Sequence, residues 1–307
     1  MIRSSIDLGT NTCLMLVVDW DPQAYKIARV IADRSTVVRL GQGVDREKRF
    51  NPAAMERTLN CLEGYAAELR KLGGEPSETV AVATAQARDS QNWAEFSSNV
   101  FSKTGFRFQI LSGEEEARGT FLGALLPNTP AERVRVIDIG GGSTEFSTLS
   151  GGVSTPLGSV RFTERYFLSD PVTDEEFQNC IQAIDSELQR AGAAPGGPEV
   201  FLGVAGTVTT LAAWKNQMAE FDRERLDGFC LSVQDVELMA LELKRMRIED
   251  RKKQVGIEEK RADVLLAGAL ILWRSILAFG YSEVRVSTRG LRYGVLAHAP
   301  NESGGGI

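Results

Sequence analysis

Histidine is nearly missing from this chain: His298 is the one histidine in 307 residues. That scarcity excludes a histidine-rich metal centre or a histidine triad, and His298 itself reads as a surface or capping residue. Cysteine is sparse too. Cys13, Cys61, Cys180 and Cys230 show no Cys-x-x-Cys spacing and fall in apolar segments. They read as small buried hydrophobes of a reducing cytoplasm, not as metal ligands or disulfide partners. No uninterrupted apolar run approaches the eighteen or so residues of a membrane span. No basic-then-apolar leader precedes the first strand, so the expectation is a cytoplasmic protein without a secretory signal or membrane partner. An excess of positive charge is also lacking: 35 Lys and Arg face 41 Asp and Glu, for a net charge of -6. Such a balance does not advertise nucleic-acid binding, and an anionic ligand would have to be held by local dipoles, a cation and a few arginines. The remaining composition, 43% hydrophobic and 25% charged, is that of a globular protein long enough for two domains or one large one.

What the chain does contain is one statement made twice. Residues 6–12 read Ile-Asp-Leu-Gly-Thr-Asn-Thr and residues 136–145 read Val-Ile-Asp-Ile-Gly-Gly-Gly-Ser-Thr-Glu. Each is an apolar strand, an aspartate, a glycine turn and then hydroxyl residues. Glycine at a strand-to-turn junction lets backbone N–H groups approach a phosphate closely, and an aspartate at the strand end can hold a divalent cation facing it. Either loop alone is an ordinary turn; together they read as a duplicated unit that clamps one phosphoryl group. Neither matches the Walker or dinucleotide fingerprint.

The flanking pattern repeats as well. Residues 4–8, 13–19, 25–32 and 35–40 read as a strand meander, 51–72 as an amphipathic helix, 80–84 as a buried strand, 96–101 as part of a helix and 106–111 as a strand. Ser112 then caps a helix whose first turn is acidic. In the second half, strands are expected at 134–139, 145–149, 200–204 and 284–287. Helices are expected at 163–167, 173–191, from 208, at 233–246 and 262–279, and from 291. The breaker cluster 191–198 reads as a loop. Two similar α/β domains, 1–120 and 121–307, are therefore expected to flank a cleft with the glycine loops at facing strand ends.

Chemistry on a phosphoryl group clamped there needs a cation, donors for the equatorial oxygens and, where water is the nucleophile, a carboxylate to direct it. The loops offer N–H donors at Gly9, Thr10, Asn11, Gly140, Gly141, Gly142 and Ser143, while Asp138, with Asp7 and Glu145, can hold Mg²⁺ directly or through waters. Helical spacing separates the three acids after Ser112. Glu114 sits four residues before Arg118, as a surface pair, whereas Glu116 shares a face with the small residues Gly119, Thr120 and Gly123. Glu116 is thus the candidate for the water-directing carboxylate. Arg88 offers a bidentate contact to a second phosphate, its bland alternative being an exposed helix-start arginine. Gly206 and Thr207 form a third turn, read either as a further phosphate or Mg²⁺ contact or as a plain strand-to-helix junction.

These residues resemble the actin, sugar-kinase and chaperone-ATPase superfamily, and within it the exopolyphosphatase / guanosine pentaphosphate phosphohydrolase family. The resemblance rests on 6–12, Arg39-Leu40-Gly41, Ala83-Thr84 with Arg88, 112–118, 136–145 and 203–207, and runs almost end to end. It implies two actin-like (ribonuclease H-like) domains and a Mg²⁺-dependent hydrolase. The implied reaction releases orthophosphate from polyphosphate, or from the stringent-response alarmone guanosine pentaphosphate, and Glu116 is the implied catalytic carboxylate that positions or deprotonates water. Small polyanions, including guanosine tetraphosphate, are the implied ligands, and a homodimer is compatible with it. Longer members carry further C-terminal domains; this chain resembles the short, two-domain form, for which short polyphosphates or the pentaphosphate are the expected substrates. Where the family often has Gly-Leu-Arg-Glu-Gly, this chain has Tyr293 in place of the acid, so no role for that acid transfers. Two other readings stay open: a non-catalytic polyphosphate or alarmone sensor, against which the retained acids argue, and a small-molecule kinase, against which the compact chain argues.

Overall fold

The computed structural model describes residues 1–127 and 129–298. Two sheets organise it. The first is built from β1 (Ile2–Leu8), β2 (Thr12–Asp21), β3 (Lys26–Val37), β4 (Val80–Ala83) and β5 (Phe108–Ile110), in the order β3-β2-β1-β4-β5. Strands β1 to β3 pair antiparallel, and β4 and β5 join parallel. The second sheet contains β6 (Val134–Ile139), β7 (Thr144–Thr148), β8 (Gly151–Thr155), β9 (Val200–Val204), β10 (Cys230–Ser232) and β11 (Glu283–Val286). Its order is β10-β11-β9-β6-β7-β8, again a three-strand antiparallel meander followed by parallel additions, with β10 as an antiparallel edge. The same topology built twice bears out the two-domain actin-like expectation.

Each sheet is covered by helices whose apolar faces the spacing had marked. The Pro52–Lys71 helix is capped by the Asn51 side chain and carries proline at its first position, where no N–H is needed. Its Leu62, Tyr65, Ala66 and Leu69 close over Ile6, Leu8, Met15 and Val17. In the second lobe the Leu265–Phe279 helix is apolar almost all round, because it lies inside the larger core among Ile184, Leu211, Leu243 and Val284. Among the described residues no helix is long and apolar enough to cross a membrane.

Several boundaries differ from the sequence reading. Residues 25–40 hold one strand, not two, since the polar Asp33-Arg34 segment still pairs with Leu16 and Met15. Strand β8 was not anticipated: Gly151 and Gly152 weaken its signal, and most of it is exposed at a sheet edge. The helix expected from 208 starts at Ala205.

The boundary at 120/121 falls inside the Gly113–Ala124 helix, and the last helix, Leu291–His298, returns to the first sheet. There Tyr293 and Leu296 pack on Leu16, Val18 and Trp20, and the Ser5 hydroxyl donates to the Arg292 carbonyl at 2.6 Å. The two helices approach backbone to backbone: a Cβ at Gly123 would overlap the Gly290 carbonyl, and one at Gly294 would overlap the Gly119 carbonyl. The small-residue stripe beside Glu116 therefore serves helix packing. The side chain of His298 and the glycine-rich residues 299–307 lie outside the described residues.

Candidate active site

Both glycine loops make the same turn. The Gly9 N–H donates to the Thr12 carbonyl at 2.9 Å, and the Gly140 N–H donates to the Ser143 carbonyl at 2.9 Å. These two N–H groups are consumed within their loops, so the expectation that Gly9 and Gly140 donate to phosphate is corrected. The N–H groups of Thr10, Asn11, Gly141, Gly142 and Ser143 have no protein acceptor among the described residues. The loops also touch. A Cβ at Gly141 would come within 2.9 Å of the Thr10 Cβ, and one at Gly142 within 2.7 Å of its hydroxyl oxygen. Thr10 is oriented from behind by Gln86, whose amide donates to the Leu8 carbonyl at 2.5 Å while its oxygen accepts from the Thr10 and Thr84 hydroxyls at 3.3 Å. All three glycine-adjacent segments, at 9–12, 140–143 and 205–207, line one cavity of about 600 Å³ between the lobes. That is small-molecule size, with room for more than one phosphate.

Asp7, Glu116, Asp138 and Glu145 converge on the same cavity. Asp7 stands two residues before Gly9, as Asp138 stands two before Gly140, and Glu145 is the cross-strand partner of Asp138. Their charges oppose one another. Burial first, then the Asp138 and Glu116 charges, push Asp7 up to about 8, against Arg292. Burial raises Glu116 to about 7 although Arg88 opposes it. Asp138 rises to about 6, again chiefly by burial, while its hydrogen bond from Thr120 at 3.2 Å and the Arg292 charge hold it lower. Glu145 is driven well above the carboxylate range by burial and by Glu116 and Asp138, despite the Ser154 hydroxyl at 2.6 Å. A cluster that cannot stay fully ionised by itself is the donor chemistry that suits a hard divalent cation such as Mg²⁺. Among the described residues, however, no three of these groups stand close enough to form a ready-made direct metal site. Asp7, Asp138 and Glu145 thus fit a cation held partly through waters and ligand oxygens, not a preassembled three-carboxylate cage.

Helix geometry separates the acids as the spacing predicts. Ser112 and Glu115 form a capping box, Glu114 is exposed and Glu116 is buried. The expected Glu114–Arg118 pair is not formed: neither side chain has an ion-pair partner among the described residues, both being exposed. Arg88 differs from expectation. It does not line the cavity; its guanidinium pairs with Glu116 at 2.9 Å and donates to the Leu111 carbonyl at 2.6 Å. The acid's burial explains the recruitment, because a buried carboxylate needs a charge partner. Gly206 and Thr207 do line the cavity, in the first turn of the Ala205–Lys215 helix. Ala205 before them holds a left-handed φ of 68°, an uncommon state for a residue with a Cβ, of the kind that gathers at functional sites.

Other contributors escaped the sequence reading because their partners are far apart in the chain. Arg261 donates to the Thr12 hydroxyl at 3.1 Å and lies where a Cβ on Gly206 would collide with it, so the third turn is glycine to admit a cation. Arg292 and Arg223 reach the cavity while bound to Asp33, which Tyr293 also engages at 2.9 Å. Ion pairs also join segments of the two halves outside the cavity lining: Arg39 pairs with Asp263 at 2.8 Å, and Arg161 joins Asp45 at 2.9 Å and Asp89 at 2.5 Å.

Comparison with known proteins agrees with this geometry. The model of the Ppx/GppA phosphatase family matches residues 16–301. Exopolyphosphatase 2 of Mycobacterium tuberculosis is 32% identical over 283 residues, covering 88% of each chain. A bifunctional 3-dehydroquinate synthase/phosphatase of Fusobacterium nucleatum is 31% identical over 299 residues, 93% of this chain, which spans only 45% of that longer protein. Among solved structures, the Aquifex aeolicus Ppx/GppA family member superimposes with a TM-score of 0.78 at 29% identity, over 97% of this chain and 96% of that one. On the family match, the shared fold and the paired loops, the chain belongs to the Ppx/GppA phosphatase family.

Proposed function

We propose that this chain hydrolyses a terminal phosphoanhydride bond, releasing orthophosphate from inorganic polyphosphate or from guanosine pentaphosphate. The carrying observation is that two equivalent loops, in contact through Thr10, Gly141 and Gly142, carry N–H groups without a protein acceptor among the described residues and line the cavity that Glu116 also lines. The M. tuberculosis relative's name supports polyphosphate as substrate.

The terminal phosphoryl group lies between the loops, its equatorial oxygens accepting from Thr10, Asn11, Gly141, Gly142 and Ser143. A second phosphate lies toward the Ala205–Lys215 helix N-terminus and Arg261, where the helix dipole and the guanidinium both favour negative charge. Glu116, fixed by Arg88, orients the attacking water and takes its proton as the bond to phosphorus forms; its raised pKa keeps it basic enough for that task near neutral pH. Asp138 and Asp7, with Glu145 behind them, would hold Mg²⁺, which supplies charge neutralisation on the phosphate oxygens. The test is orthophosphate release from tripolyphosphate, long polyphosphate and guanosine pentaphosphate, side by side with Mg²⁺. Absence of release from all of them would refute hydrolysis and favour a binding role.

A further inference from the structure

Behind the first loop, and outside the cavity, the helix and the sheet bring two thiols together. Cys13 follows Thr12 at the start of β2 and is wholly buried; Cys61 projects from the Pro52–Lys71 helix and is half-buried. Both belong to one packed cluster, Cys13 in its buried core and Cys61 at its half-buried margin. One helical turn on, the Tyr65 hydroxyl donates to the Cys13 carbonyl at 3.1 Å and shares a 2.8 Å bond with Thr36, the cross-strand partner of Cys13. The group is a polar island in an otherwise apolar interface, reached from solvent on the Cys61 side.

We propose that Cys61 and Cys13 are a dithiol site oxidised by hydrogen peroxide, Cys61 being the attacking thiol and Cys13 the resolving one. The Cys61 thiolate attacks a peroxide oxygen, the O–O bond breaks, and the hydroxide released takes up a proton to become water. Cys61 is then a sulfenic acid. Cys13 loses its proton and attacks the Cys61 sulfur; the S–S bond forms as the S–O bond breaks, and a second water leaves. Two thiols are oxidised by two electrons and one peroxide is reduced.

The order of roles follows from the surroundings. The polar neighbours of Cys61, the Cys13 thiol first and then the Thr36 and Tyr65 hydroxyls, hold its pKa below the usual thiol value although burial opposes them, whereas burial drives Cys13 upward. The other two cysteines are shifted the other way, Cys230 even with Arg285 beside it. Burial pushes Cys180 up to about 12, and burial followed by the Glu283 carboxylate, which the Cys230 thiol contacts at 3.4 Å, raises Cys230. The bond would tie the strand leaving the first loop to the helix behind it.

The experiment exposes the native full chain to hydrogen peroxide, alkylates the remaining thiols and maps peptides by mass. A Cys13–Cys61 crosslink lighter by two hydrogens and reversed by dithiothreitol is expected, with Cys61 alkylating at least about tenfold faster than Cys180 or Cys230 before oxidation. Cys13→Ala should halt at a dimedone-trapped Cys61 sulfenic acid, and Cys61→Ser should leave Cys13 reduced. The proposal is overturned if Cys180 or Cys230 oxidises first, if Cys61 sulfenic acid accumulates uncrosslinked in the native chain, or if Cys13 oxidises equally in Cys61→Ser. The wild-type and Cys61→Ser arms decide it even where Cys13→Ala does not fold. No arm depends on phosphatase substrate.

Discussion

Replacing Glu116 by Gln tests the site at its most specific point, because the neighbouring Glu114 provides an internal control on the same helical turn. In the wild type, one Glu116 oxygen accepts from Arg88 at 2.9 Å, and Arg88 keeps a second anchor on the Leu111 carbonyl at 2.6 Å. Glutamine preserves size and an accepting oxygen, so Arg88 stays in place. The substitution also removes a charge that pushes Asp7 and Glu145 upward. Loss of the favourable Arg88 pair and relief of that repulsion act in opposite directions, and folding stability should change by no more than about 1 kcal/mol. Turnover, by contrast, loses its base. A fall of about 10²–10⁴ is expected, which is about 3–5 kcal/mol on the barrier. Phosphate contacts are untouched and one negative charge is gone, so KM should hold or drop. Glu114 is exposed and makes no ion pair among the described residues, so Glu114→Gln should retain nearly full rate. Steady-state phosphate release, with thermal unfolding as the check on folding, reads all of this. A Glu116→Gln variant retaining more than a tenth of wild-type kcat, or an equal loss in Glu114→Gln, would refute the assignment and move water activation to another carboxylate.

Removing divalent cations with excess chelator should abolish turnover, and Asp138→Ala should lower kcat by about 10² or more with Mg²⁺ restored; full activity in chelator would dismiss the metal. Gly142→Ala places a Cβ 2.7 Å from the Thr10 hydroxyl oxygen, so Thr10 must leave its Gln86 bond or the loops must part. Overpacking of about 1–3 kcal/mol and at least a tenfold loss of kcat/KM should appear in denaturation and rate assays, and an unaltered rate would show that loop contact is dispensable. Asp33, held low in pKa by Arg292 and Arg223 although burial opposes them, should stabilise the fold by about 3 kcal/mol relative to Asp33→Asn. Because its folded pKa lies below the unfolded one, that difference is fully present above the ordinary carboxylate range and fades as pH falls through the lowered value. A gap between the variants that instead widened in acid would contradict the pairing.

Much of the fold was legible because its signals are local. An apolar strand, an aspartate and a glycine turn are contiguous, so both loops and both strands feeding them could be read, and helix periodicity alone put Glu116 on a different face from Glu114. The capping box at Ser112 and Glu115 is likewise written within four residues. What was not legible depends on chain segments that meet only in the folded state. Arg88 reads locally as a free cation, yet the burial of Glu116 on another helix claims it. Arg261 reads as one more surface arginine until Thr12 and Gly206 are found beside it. Of the stripe beside Glu116, Gly119 and Gly123 meet Gly290 and the last helix, and Thr120 bonds Asp138, partners no local pattern names. That helix brings Arg292 to the Asp7 and Asp138 side of the cavity and Tyr293 to Asp33, across 260 positions of chain. Tyr293 therefore has a physical reading of its own. A tyrosine there can donate to Asp33 without adding a charge, where an acid would meet the Asp33 carboxylate head on and compete for Arg223 and Arg292. Tyr293 thus belongs to the pairing that holds Arg292 near the paired aspartates, and it bears on the site through that arginine, since it does not itself line the cavity.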